Sequence, residues 1–324
     1  MTDRHPDPNA DPFVTSGNAG PLDATTEVER SVEGAWVPVM HQSDDMPRHV
    51  GFWKRFRRNK VAVAAAIYLI LLILAAIFAS RIGLQDPNAQ NISEINRRPS
   101  AAHWLGQDDL GRDVFARIIY GARVSLQAAF TAVALALVVA VPIGLFSGFV
   151  GGWIDLVLMR ISDAVQVIPA LVLALVITGI LGPSTTNVAV ALAFVFTPGF
   201  VRLIRGQVLS VREETYIEAS RSIGAKRGYI IRKRVLHNVA SPLIVQAAVT
   251  AGFSMLAEAS LSFLGLGVQP PQATWGTMLS RAFAQVFQAG WLLWIPGGAI
   301  ALTVLAFNLV GDGLRDALGA EGRN

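Results

Sequence analysis

The chain has 324 residues, 52% hydrophobic and 15% charged, with mean hydropathy +0.47, a net charge of +4 and no cysteine. Soluble domains carry roughly 25% charged residues, and here the apolar residues gather into long uncharged runs. That excludes a disordered protein, a disulfide-stapled secreted domain and a thiolate metal site, and leaves an all-α polytopic membrane protein as the expectation.

Charge is unevenly spread. Residues 1–50 hold nine acids against Arg4, Arg30 and Arg48, whereas the other 274 residues carry 24 Lys/Arg and 14 Asp/Glu. The basic residues cluster beside apolar spans, which points to membrane orientation rather than nucleic acid. Residues 1–50, rich in Pro, Asp, Asn, Thr and Ser, read as a disordered cytoplasmic tail with one short apolar piece, Ala35–Met40. They lack the basic-then-apolar start of a signal peptide.

Phe52–Lys60 then supplies five positive charges, followed by nineteen uncharged residues from Val61 to Ala79. At 1.5 Å per residue that run spans about 28 Å, enough for a bilayer core, with the basic side in the cytoplasm. Five further spans are expected near 125–150, 166–182, 187–209, 243–265 and 291–312. Six helices return both termini to the cytoplasm. The expected divisions are a tail at 1–50, the first span with its basic flank at 51–80, and an extracytoplasmic loop at 81–124. A helical core at 125–313, with a cytoplasmic hairpin at 210–242, and a cytoplasmic end at 314–324 complete the chain. The segment 210–242 carries seven basic residues, Arg212, Arg221, Lys226, Arg227, Arg232, Lys233 and Arg234, as a cytoplasmic loop should. The stretch 80–124 runs against the trend, with six arginines balanced by five acids. Pro142, Pro169, Pro198 and Pro296 lie in or beside apolar spans and are expected to kink them.

No energy source is encoded. None of the four lysines (Lys54, Lys60, Lys226, Lys233) follows a glycine, so a phosphate loop is impossible, and the five histidines form no H-E-x-x-H. An ion-coupled carrier would place ionisable groups deep in its spans. Glu258 is the clear candidate, either touching a charged substrate or gate or pairing with a partner subunit; Asp163 sits near an edge.

The stretch Ser210–Pro242 is the most informative. Ser210-Val211-Arg212-Glu213 reads as a capping box. Tyr216, Ile217, Ser220 and Ile223 recur on one helix face, and Ala219 and Ser220 are small enough to admit a close surface. Gly224 falls where a left-handed cap is needed, and Lys226–His237 forms a second, basic helical piece. Such a helix suits a groove on a partner protein, or an anionic lipid surface; physical chemistry alone leaves both open. Asp155, Arg160 and Asp163 share the polar side of an interfacial helix over Trp153–Ile168. Asp108, Asp109 and Asp113 lack the alternating spacing of a calcium loop and suit Arg–Asp pairing instead. Gly265, Gly267 and Pro270-Pro271 should end the fifth span. Asp312 and Arg315 should pair at a helix end, and Trp291 and Trp294 should anchor the membrane interface.

The run Tyr216-Ile217-Glu218-Ala219-Ser220-Arg221-Ser222-Ile223-Gly224-Ala225 resembles the EAA loop of ABC-importer permeases, whose pattern is E-A-A-x-x-x-G. Glu218, Ala219 and Gly224 match, and Ser220 replaces the second alanine. Further on, Arg234-Val235-Leu236-His237-Asn238 departs from the His-Ile-Leu-Pro-Asn ending often seen there. His103–Phe115 with Arg117–Leu126, Leu261–Gly267 with Pro270-Pro271 and Trp275-Gly276, and Ala306–Asp316 resemble the C-type branch of the dipeptide/oligopeptide/nickel permeases, over about residues 50–318.

The resemblance implies type I ABC-importer architecture in a bacterial cytoplasmic membrane, with this chain beside a homologous B-type permease. It implies two ATP-binding subunits, which rather than this chain would hold ATP and Mg, and an extracytoplasmic solute-binding protein; membrane lipid is a further partner and nucleic acid is not. Coupling to the ATPases would fall to Tyr216, Ile217, Glu218, Ala219, Ser220, Ile223, Gly224 and Ala225, with no catalytic or metal-binding residue in this chain. Short peptides are the preferred cargo over a nickel chelate, because no His or Cys lies within a span. The alternatives of another class are an autonomous ion-coupled carrier and a poreless membrane scaffold.

Overall fold

A five-residue basic helix, α1 (Phe52–Phe56), leads directly into the first long apolar helix, α2 (Lys60–Ile77), whose N-terminus is capped by the Asn59 side chain accepting from Ala62 N. The computed structural model describes residues 51–319; the expected tail at 1–50, with Ala35–Met40, and residues 320–324 lie outside the described residues. All regular elements among the described residues are helical. After a loop come α3 (Val114–Val150), α4 (Gly152–Val167), α5 (Ala170–Leu181) and α6 (Thr185–Arg212). A short α7 (Thr215–Ser222) turns into α8 (Arg227–Ile230), which passes through a π turn (Ile231–Val235) into α9 (Leu236–Phe263). The last elements are α10 (Trp275–Ala284), α11 (Val286–Ala289) and α12 (Trp294–Gly319).

Five helical stretches are each long and apolar enough to cross a membrane, and a sixth crossing is possible if α4 and α5 count as one broken span, bent by 89°. The break corrects the continuous third span expected at 166–182. Pro169 cannot donate to a helical ladder and biases Ile168 toward extended backbone, so the helix stops there and restarts at Ala170. The twelve residues of α5 reach only about 18 Å, short of a hydrocarbon core of ~30 Å. The second span also begins earlier than residue 125: α3 starts at Val114, where the Asp113 carboxylate accepts from Ala116 N and caps it. By contrast, Pro142 and Pro198 lie inside unbroken helices.

The core is built on the parallel pair α3 and α6. Ala122, Ala129, Ala132, Ala136 and Ala140 give α3 a small-residue stripe, all buried. At its far end a Cβ on Gly144 would sit 2.7 Å from Ile204 Cβ, and one on Gly148 2.8 Å from Val208 Cβ. Glycine at these two positions is therefore what lets the helices touch, since packing in lipid rests on close van der Waals contact rather than on hydrophobic exclusion. Helices α9 and α12 run antiparallel, and α2 lies along α12 with Tyr68 Oη 3.0 Å from Thr303 Oγ1. Asn59 reaches Asp316 at 3.4 Å, so the first and last described helices meet at one end of the bundle, the end that also carries α7.

The opposite end is closed by the loop between α2 and α3 and by α10. Here the expected Arg–Asp pairing is present: Arg112 bonds Asp108 (2.7 Å) and Asp109 (3.2 Å), and Arg281 bonds Asp109 at 3.0 Å. His103 Nδ1 lies 2.8 Å from Asp113. Trp275 locks α10 inward, its indole N–H donating to Ile118 O at 2.9 Å. Helix α9, the expected fifth span, stops at Phe263 and Gly265 takes φ +83° just after it, as expected. Two expectations fail. Asp312 and Arg315 form no ion pair among the described residues; both stay exposed, and it is Asp316 that is engaged. Trp294 is 82% exposed, as an interface anchor would be, whereas Trp291 turns inward onto the core.

Candidate functional site

The hairpin between α6 and α9 is a rigid projection. The expected capping box at Ser210–Glu213 is absent, because α6 continues through Ser210 to Arg212, with Glu213 as its C-cap. Val208 is buried against α3 and Val211 packs on the same core, and that contact carries the helix past the serine. Helix α7 starts two residues later from Glu214 with no side-chain cap, and Ser210 plays no part in it.

Three contacts fix the hairpin to the bundle. Arg212 Nη1 donates to Gly148 O at 3.1 Å, the Arg221 guanidinium lies 5.3 Å over the Phe149 ring, and Asn238 Nδ2 donates to Tyr216 Oη at 2.8 Å. Burial raises the Tyr216 phenol above its usual pKa, with Glu214 adding to the effect, so it remains a neutral acceptor for Asn238. Ile217, Ile230 and Val235 are fully buried and join the core, pinning both arms from inside. At the tip Gly224 has φ +78°. Its N–H donates to Arg221 O (2.9 Å) and the Ala225 N–H to Ser220 O (3.1 Å), the paired bonds of a Schellman cap.

The helix face is divided differently from the expected grouping. Ile217 and Ser220 turn inward, the serine hydroxyl bonding Tyr216 O at 2.7 Å, so Ser220 offers no surface to a partner. Tyr216 is only partly covered, and Ile223 lies past the helix end, 84% exposed. The outward surface is instead Glu218, Ala219, Ser222, Ile223 and Gly224, with Tyr229 exposed beside it and Ala225 half-buried at the turn. Ile223 and Tyr229 are apolar groups held out on a fixed stalk, and a single helical period could not foretell that because the helix ends before Ile223.

Helix α4 braces the stem. Arg205 on α6 grips Asp155 with Nε and with Nη2 at 2.6 Å, and Ser147 Oγ donates to the same carboxylate. Arg202 pairs with Asp163 at 2.7 Å. The expected polar side of this helix is thus the side facing α6, except for Arg160, which stays exposed. Asp163 is accordingly engaged with Arg202 at the surface of this chain.

Glu258 lies inside this chain. It is 1% exposed, enclosed within this chain, and accepts from Ser262 Oγ at 2.7 Å, with Ser125 of α3 beside it. Neither a substrate contact nor a pair with another subunit fits a side chain so enclosed. Its other oxygen, Oε2, is buried with no hydrogen-bond partner among the described residues, and the Trp275 backbone N–H approaches Ser125 Oγ at 3.4 Å. Among the described residues no group of three or more His, Cys, Asp or Glu is placed to hold a metal ion.

Comparison with known proteins agrees with this geometry. A family profile described as "Binding-protein-dependent transport system inner membrane component" matches residues 140–321, and one described as "N-terminal TM domain of oligopeptide transport permease C" matches residues 50–99. The chain is 45% identical over 266 residues to the dipeptide transport system permease protein DppC of Alkalihalophilus pseudofirmus, covering 82% of this chain and 88% of that one. It is 42% identical over 285 residues to the glutathione transport system permease protein GsiD of Pectobacterium atrosepticum, covering 88% and 95%. The Escherichia coli GsiD is 44% identical over 268 residues, covering 82% and 88%. With a profile spanning more than half of the chain and such relatives along most of it, the chain belongs to the binding-protein-dependent transport system inner membrane permeases, on their C-type branch.

Proposed function

We propose that this chain is one of two permease subunits of an ATP-driven importer of short peptides. It works beside a homologous B-type permease, above two ATP-binding subunits and below an extracytoplasmic solute-binding protein. ATP and Mg belong to the ATP-binding subunits. Both termini and the hairpin face the cytoplasm, with the loop between α2 and α3 outside, as the seven basic residues of 210–242 favour.

The observation that carries this reading is the fixed hairpin. Glu218 and Ala219 stand out on a short helix, with Ile223 just past its end, and the helix is pinned to α3 and α9 from within. A helix anchored in this way transmits a push to the spans instead of absorbing it. Rigid-body closure of the ATPases would then move α6 and α9 together and reopen the path on the other side. Short peptides are favoured as cargo because the relatives above are named for dipeptide and glutathione transport.

The test is reconstitution of all subunits in vesicles, with a labelled dipeptide outside and ATP inside. Uptake should require ATP, the ATP-binding subunits and the loaded solute-binding protein. Uptake by this chain alone on an ion gradient would contradict the proposal.

A further inference from the structure

A polar cleft opens between α3 and α6 at the end of the bundle opposite the hairpin, with a volume of about 510 Å³. That size falls within the roughly 300–1,000 Å³ of small-molecule sites. Its α3 wall is a stripe of exposed residues at helical spacing, Arg123, Gln127 and Thr131. Facing it are Thr185 and Thr186 in the first turn of α6, and Asn88 closes the rim. The rim is fixed, since Arg117 Nη1 donates to Pro87 O at 2.9 Å.

Arg123 is the one charged residue among those lining the cleft, and no acid lines it. Among the described residues no carboxylate pairs with Arg123. Asp86, next to the rim residue Pro87, accepts from Asn88 N at 2.9 Å and makes no ion pair with Arg123, while Glu94, Asp108, Asp109 and Asp113 pair with Arg97, Arg112, Arg281 and His103. The α6 N-terminus beside it adds partial positive charge. The cleft thus offers one unanswered cation amid neutral hydrogen-bonding groups, set nine residues into an apolar helix. An arginine fork matches a carboxylate with two parallel bonds, and the amides and hydroxyls around it suit peptide groups.

We infer that this cleft is a way-station for the peptide after its release from the solute-binding protein, with Arg123 taking the peptide's carboxylate. The inference rests on the peptide-importer reading above. Arg123 falls two residues before the span expected at 125–150 and so escapes sequence reading; an arginine followed by Gln127 and Thr131 at helical spacing is the available signal.

The test uses the complete transporter in phosphatidylethanolamine–phosphatidylglycerol vesicles, comparing a dipeptide with its C-terminal amide, each at a concentration that saturates the solute-binding protein. Arg123→Gln should slow uptake of the free acid about tenfold, the scale of one lost charge-assisted contact, and the amide far less. Arg123→Lys should retain most of the acid uptake, and ATPase stimulation by the loaded binding protein should persist in both variants. Wild-type uptake by Arg123→Gln, or equal losses on acid and amide, overturns the assignment. So does a loss that vanishes in phosphatidylcholine vesicles, which would mark Arg123 as an anchor for anionic lipid. Should the wild-type transporter import neither peptide with ATP present, the peptide-importer reading fails and the inference falls with it.

Discussion

Replacing Gly224 isolates the hairpin turn from every other feature of the chain. The residue has φ +78°, and a Cβ built on it meets nothing within 4 Å, so substitution costs backbone strain and no clash. For an ordinary L-residue the left-handed conformation costs about 1–2 kcal/mol, and a β-branched residue is worse placed still. Helix α7 has eight residues and would not persist in isolation, so it depends on this cap and on Ile217. A penalty of about 1.4 kcal/mol lowers the population of the correctly turned hairpin roughly tenfold relative to its alternatives. Peptide uptake per ATP hydrolysed, measured in vesicles holding the complete transporter, should therefore fall in the order Gly224, Asn, Ala, Val. Asparagine should retain most activity because it tolerates this region. Membrane insertion should be equal throughout. Full coupling in Gly224→Val, or an asparagine variant no better than valine, would refute the claim that the turn's geometry transmits the motion.

Gly148→Leu should separate α3 from α6, because even a Cβ meets Val208 at 2.8 Å; the expected loss is about 1–3 kcal/mol, read as a lower unfolding temperature in detergent. Asp155→Asn should weaken the brace on α6 by about 1.5–3 kcal/mol, and a double-mutant cycle with Arg205→Gln should show strong coupling in detergent unfolding. Glu258→Gln should preserve folding and transport, since the amide oxygen can still accept from Ser262. Glu258→Ala should destabilise by about 1–3 kcal/mol by leaving the buried Ser262 hydroxyl without its acceptor, with no change in peptide selectivity; a selectivity change would place Glu258 in the path.

The spans were legible because charge is expensive in lipid and the runs free of it are long; Val61–Ala79 needs no tertiary information to be read. Gly224 was legible for a similar reason, since a glycine placed after an eight-residue periodic stretch has few other uses. The bend at Pro169 was harder to place, because Pro142 and Pro198 sit in equally apolar runs yet leave their helices whole, and neighbouring packing decides between the two outcomes. The misread capping box has the same origin. Ser210-x-x-Glu213 fits the local pattern, but burial of Val208 and Val211 against α3 carries the helix through it. The inward turn of Ser220 and the enclosure of Glu258 depend on which helices pack together, and that is absent from periodicity. The π turn at Ile231–Val235 left no trace in composition.

The most direct measurement exploits the absence of cysteine from the chain. Ala219→Cys places a single thiol on the exposed face of α7, where it can be cross-linked to an ATP-binding subunit carrying its own single cysteine. The bond should form, its yield should change with nucleotide, and uptake should stop when it forms and resume on reduction. ATP-driven uptake that continues at its full rate with the bond formed, or with the α7 surface never within cross-linking reach, would contradict this prediction.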